Sequence, residues 1–164
     1  MAWDTVMTSM LRNVIGDITS PYTYSDAQVK SLLVTNAQLI RTEMTFDNTY
    51  TIDIPNSGIS PDPTATSPVD DVYMNFVVLK SAAILVGAEA RVQAKLSISI
   101  KGGPASIDVG GSASALAAKA KDFQMAYERA KILYISSNSI GAKAVLTPYT
   151  DATYGNSSVE NYFN

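Results

Sequence analysis

Apolar residues recur at helical spacing from the start of the chain. Trp3, Val6, Met7, Met10, Val14 and Ile15 fall at i, i+3, i+4, i+7, i+11 and i+12, one stripe of an α-helix. Asp4 sits in its first turn, where an anion suits the helix dipole, and Gly16 supplies a stop. A fuller start signal follows in YSDAQV. Ser25 can cap, Gln28 three residues on can close a capping box, and Tyr24 can staple onto Val29. With the stripe Val29, Leu32, Leu33, Ala37, Ile40 and Met44, this predicts a helix from about Asp26 to Met44.

The period then changes. Tyr50, Ile52 and Ile54 alternate with Thr49, Thr51 and Asp53, as in a half-buried strand that Pro55 ends. PNSGISPDPTATSP carries four prolines and little else apolar, so Pro55 to Pro68 is expected to be a surface loop outside the core. Asp70 and Asp71 provide the cap and first-turn charge of a third helix. Its stripe Phe76, Val77, Lys80, Ala83, Ile84 and Gly87 is joined by a second, Val72, Leu79 and Val86, so it is expected to be buried on more than one side. Val72 to Ala90 is long enough for a membrane span, but Asn75, Lys80, Ser81 and Glu89 interrupt it, which favours a buried central helix in which Lys80 snorkels or finds a partner. A fourth helix starts near Ser112 or Ser114 and carries Leu116, Ala120, Phe123, Tyr127, Ala130 and Tyr134 on one face. After Ser137 periodicity stops.

Between the last two helices lies KGGPASIDVGG. A phosphate loop needs spaced glycines followed by Lys and then Ser or Thr; here Lys101 precedes the glycines and Pro104 removes an N–H donor. The segment reads instead as punctuation, either Gly102 or Gly103 capping a helix end or a hairpin pairing LSISI with ASIDV across residues 96–109. The expected fold is mainly α: a small four-helix domain over residues 1–137 with one or a few short β-strands, then an extended C-terminal tail over 138–164.

Composition narrows the chemistry. The 164 residues include no cysteine and no histidine, which removes thiolate chemistry, the commonest general base and the commonest metal ligand. A net charge of −3 gives no general affinity for nucleic acid. Charged residues are only 16%, a small share for a surface fully in water. They are also segregated. Phe46–Asp71 holds five acids and no base, and Arg91–Lys131 holds seven bases against three acids, an arrangement that suits head-to-tail contact between identical subunits or two solvated faces. Asp62, Asp70 and Asp71 lack calcium-loop spacing, and capping explains the pair better than a cation does. No serine has a base at motif spacing, and Asn156-Ser157-Ser158 matches the glycosylation pattern without a secretion signal before it. No catalytic, cofactor or metal-binding residues are assigned. The tail offers Tyr149, Tyr154, Tyr162 and Phe163, aromatic residues of the kind enriched where proteins meet, as candidate partner-binding positions.

The chain resembles the head–tail adaptor (connector) proteins of tailed bacteriophages, including those of marine phages. The resemblance rests on WDTVMTSMLRNVIGD, YTYSDAQVKSLLVTNAQLI, FDNTYTIDI with ISPDPT, DDVYMNFVVLKSAAIL, GPASIDVG and AVLTPYT, in order over most of the chain. SALAAKAKDFQMAYERAKILY is richer in Ala and Lys than that pattern. The resemblance implies a helical, non-enzymatic subunit of the virion neck, made in the host cytoplasm and set in a ring, usually dodecameric, beneath the portal. Its partners would be its own copies, the portal protein and the next neck or tail protein. Genome DNA would pass through the lumen without sequence-specific binding, and no membrane or cofactor would be involved. A stand-alone intracellular helical binding module, or another neck or tail-completion protein, is the alternative.

Overall fold

The computed structural model of the chain describes residues 2–100 and 110–138, with the backbone alone for 96–100 and 110–111. It is mainly helical, with four helices and one two-stranded sheet in the order α1 (Trp3–Ile15), α2 (Asp26–Glu43), β1 (Thr51–Asp53), β2 (Gly58–Ser60), α3 (Asp71–Ile100) and α4 (Gly110–Asn138). The chain divides into two compact units, residues 1–129 and a second beginning at Ala130, so α4 crosses the division.

Local chemistry sets the helix ends. Gly16 closes α1 in the left-handed region at φ 87°, its N–H donating to the Arg12 carbonyl. Ser25 and Gln28 form the capping box of α2, with the Gln28 N–H donating to Ser25 Oγ and the Ser25 N–H to Gln28 Oε1. At α3 the Tyr73 N–H donates to the Asp70 carboxylate at 3.0 Å, the cap expected there.

The core of the first unit lies where α1, α2 and α3 pack against one another. Met7 and Leu11 of α1, Val29, Leu33, Val34, Ala37 and Ile40 of α2, and Tyr73, Val77, Val78 and Ala82 of α3 are all buried. Each large aliphatic among them stabilises the fold by about 1.5–3 kcal/mol relative to exposure. Over Asp71–Lys95, α3 is long and apolar enough to cross a membrane, yet half of its most apolar window is buried inside this fold. Lys80 has the partner its burial demands: it pairs with Glu43 and lies over the Tyr127 ring at 5.1 Å. Val72 and Ile84, expected inside, are exposed.

Two expectations need correction. Pro55–Pro68 is not merely a surface loop. It contains β2, which pairs antiparallel with β1 in the register Thr51↔Ser60, Ile52↔Ile59 and Asp53↔Gly58. Ile59 is 5% exposed and Pro63 is fully buried, while Asp62 accepts from the Trp3 N–H at 3.1 Å and so joins this segment to α1. The strand alternation stops early: Tyr50 is buried and Ile52 half-buried, but Ile54 turns outward because the chain bends there, with the Ser57 N–H donating to the Ile54 carbonyl. Of the two readings open for residues 96–109, the structure favours the helix end: α3 runs on to Ile100, so Leu96–Ile100 is helical and not the first strand of a hairpin. Residues 101–109, with Gly102, Gly103 and Pro104, lie outside the described residues.

Candidate interaction surface

The partner-binding candidates Tyr149, Tyr154, Tyr162 and Phe163 lie outside the described residues, as does Asn156. What the structure brings together is a set of polar clasps inside the subunit and an unpaired charged and apolar exterior.

One clasp holds α4. Tyr127 is buried, packs edge-on to Phe76 at 5.8 Å and donates its hydroxyl to Glu43 Oε2 at 2.7 Å. Burial, together with the Glu43 hydrogen bond and charge, pushes the hydroxyl far above its usual range, so it remains a donor. A Cβ at Gly87 would meet Ala120 Cβ at 3.7 Å, so the helices approach closely there. Ala120 thus lies opposite Gly87 and Tyr127 opposite Phe76, which makes α4 antiparallel to α3. Within the first unit, Leu116, Ala120, Phe123 and Tyr127 form the covered side of α4, the stripe anticipated from spacing.

A second clasp holds the α1–α2 connection. Arg12 is buried and reaches Asp17 at 2.7 Å, Asp26 at 2.6 Å and the Tyr24 carbonyl at 2.8 Å, with its guanidinium 3.9 Å from the centre of the Tyr22 ring. Hydrogen bonds from the Thr23 backbone and the Arg12 charge, opposed by desolvation, hold the Asp17 carboxyl below its ordinary value. Across the bundle Tyr24 donates to Glu89 at 2.9 Å; burial and that carboxylate raise its hydroxyl to about 12. A third polar pair, Asn36 Nδ2 to Ser81 Oγ at 3.1 Å, is buried between α2 and α3.

The aspartates considered for a cation are occupied otherwise. Asp62 accepts from Trp3 and Thr64, and Asp70 accepts from Asn48, Tyr50 and Tyr73. Among the described residues no group of three or more carboxylates is placed to hold a metal ion. Asp4, Asp17, Asp53 and Asp62 all have lowered pKa values, the reverse of what a general acid at neutral pH requires. A cavity of about 390 Å³ between α1 and α2 is lined by Asp4, Arg12, Asp26 and Lys30, charges already paired with one another or with Asp17.

The exterior is different. At about 100° per residue, Ala118, Lys121, Met125 and Arg129 lie on the side of α4 away from Tyr127. All four are exposed, Met125 at 52%. Arg91 and Lys95 on α3 are also exposed, and none of these four basic residues enters an ion pair among the described residues. At the start of α3 the signs reverse. Asp47 and Asp71 are exposed without an ion pair, and Val69 and Val72, on either side of the Asp70-Asp71 pair, are each 45% exposed. In the second unit Ile132, Leu133 and Ile135 of α4 are exposed. The segregation of charge was legible in the sequence; the outward apolar residues of α4 were not, because spacing alone marks the stripe with the larger rings as the covered side and leaves the opposite side looking like an ordinary solvated face.

Comparison with protein-family models, curated proteins and solved structures returned no match.

Proposed function

We propose that this chain is a structural protein of a phage virion, a head–tail adaptor whose copies form a ring beneath the portal and link head to tail. The observation that carries the reading is the exterior of α3 and α4. The side of α4 away from Tyr127 presents the half-exposed Met125 with the exposed bases Lys121 and Arg129, while exposed acids and valines gather at the start of α3. Surfaces of that kind are used by neighbours, and heterologous contacts between identical subunits close into rings when their rotation permits. The resemblance of the sequence to phage adaptors points the same way. The aromatic tail, with Tyr149, Tyr154, Tyr162 and Phe163, would serve the portal contact, ordering along its partner at an entropic cost.

The experiment is a truncation. Deleting Asn138–Asn164 should leave helix content and melting nearly unchanged and greatly weaken binding to the portal protein of the same phage. A truncated chain that binds the portal as tightly as the full chain would remove the tail from the account. A stand-alone binding module would need a concave apolar pocket with free polar groups, and the cavity between α1 and α2 favours it less, because its charges are already paired.

A further inference from the structure

We infer that the outward side of α4 is the docking face for a second copy of this chain, which presents the acidic start of its α3. The inference rests on the adaptor reading and specifies which surfaces of the ring subunit meet. Three observations select them. Met125 is half-exposed on a helix side that nothing among the described residues covers, flanked by the exposed Ala115 and Ala118. Lys121 and Arg129 bracket it, exposed and without an ion pair among the described residues; the acids between them are the exposed Asp122 and the half-buried Glu128, which accepts from Gln124 at 2.9 Å. The complementary surface is on the same chain: Val69 and Val72 are exposed beside the exposed, unpaired Asp71, and Asp47 lies in the segment whose neighbours Asn48 and Tyr50 are tied to Asp70. Each surface is thus apolar in part and fringed by charge, with opposite signs. Opposite charge steers the encounter and rejects the like-on-like arrangement, in which Lys121 and Arg129 would face their own copies.

The two surfaces are different patches of one subunit, so the contact is heterologous and repeats from copy to copy. An isologous contact would stop at two. This gives a clean test, because the chain has no cysteine of its own. The full-length chain carrying both Met125→Cys and Asp71→Cys, oxidised at high protein concentration and again in the presence of the portal, should yield a ladder of covalent multimers. Neither single variant should cross-link. Dimers from Met125→Cys alone, or no ladder from the double variant in either condition, would overturn the inference.

Charge reversal supplies an independent arm. Lys121→Glu with Arg129→Glu, and separately Asp47→Lys with Asp71→Lys, should each weaken association at least about tenfold, and mixing the two variants should restore it. All four positions are exposed, so each variant should fold, which circular dichroism would check. Unchanged association of the reversed variants, or no rescue on mixing, would overturn this pairing. If virions carrying Lys121→Glu with Arg129→Glu still hold the protein as a ring, the interface is wrong and the adaptor reading stands; if virions hold no ring of this chain, the adaptor reading itself fails.

Discussion

Replacing Arg12 with Met should cost about 3 kcal/mol of unfolding free energy, most of it through one carboxylate. Of the Arg12 partners, Asp26 has a side chain 81% exposed, so water replaces that contact at little cost. The Asp17 side chain is only 8% exposed. Removing one member of a buried ion pair leaves the other uncompensated and costs about 3–5 kcal/mol. Asp17 keeps the Thr23 N–H at 2.9 Å and the Tyr24 N–H at 3.4 Å, and methionine fills much of the vacated space, so the lower end of that range applies. Urea unfolding followed by circular dichroism measures the loss directly, and heating should show a drop of roughly 6–12 °C.

The same pair predicts a pH dependence. The Asp17 carboxyl is depressed in the folded protein, so its contribution is complete above the ordinary aspartate value of 3.8 and is lost as pH falls below it toward the folded value. Arg12→Met should therefore flatten the acid limb of the stability curve only in part, because the Thr23 and Tyr24 N–H bonds that do most to depress Asp17 remain, and adding Asp17→Asn should remove the rest of its contribution. A loss below about 1 kcal/mol for Arg12→Met, in the range of exposed pairs, would refute the reasoning.

Other substitutions test other joints. Gly87→Ala should be tolerated and gain up to about 1 kcal/mol from helix propensity, because the added Cβ meets Ala120 at an ordinary 3.7 Å; Gly87→Leu should force α4 outward and lower the melting temperature. Tyr127→Phe keeps the ring against Phe76 but removes the bond to Glu43, and urea titration should show a loss of about 1–2 kcal/mol. Ser81→Ala alone should cost about 1 kcal/mol by leaving one Asn36 N–H without a partner while the Leu32 carbonyl keeps the other, and Ser81→Ala with Asn36→Leu should be close to neutral, because both partners of the buried pair are then gone.

What could be read in the sequence was local. The Ser25–Gln28 capping box, the Asp70 cap and the Gly16 stop each depend on residues within a few positions, so their chemistry is visible in the string. The four-helix plan followed from periodicity for the same reason. Lys80 was a halfway case. Its place on an apolar helix announced that it needed a partner, but Glu43 lies 37 residues away, and nothing local selects it. The Arg12 clasp escaped notice because its acceptors come from a turn whose path only the folded chain defines.

The errors have physical causes too. Ile59 stands almost alone in a polar, proline-rich stretch, and its burial depends on pairing with Ile52 across the hairpin. LSISI is different: its alternation left a strand and a helix end equally open, and because a helix already nucleated propagates more cheaply than a new strand starts, α3 continues through it. The outward side of α4 was passed over because alanine and methionine among lysines look like an ordinary solvated helix until the covered side is known.

The most direct test of the central claim is a reconstruction of the assembled phage particle at side-chain resolution, counting copies of this chain. The account predicts a closed ring directly below the portal, each copy meeting the next through unlike surfaces. One copy per particle, isologous dimers, or absence of the chain from the neck would contradict it.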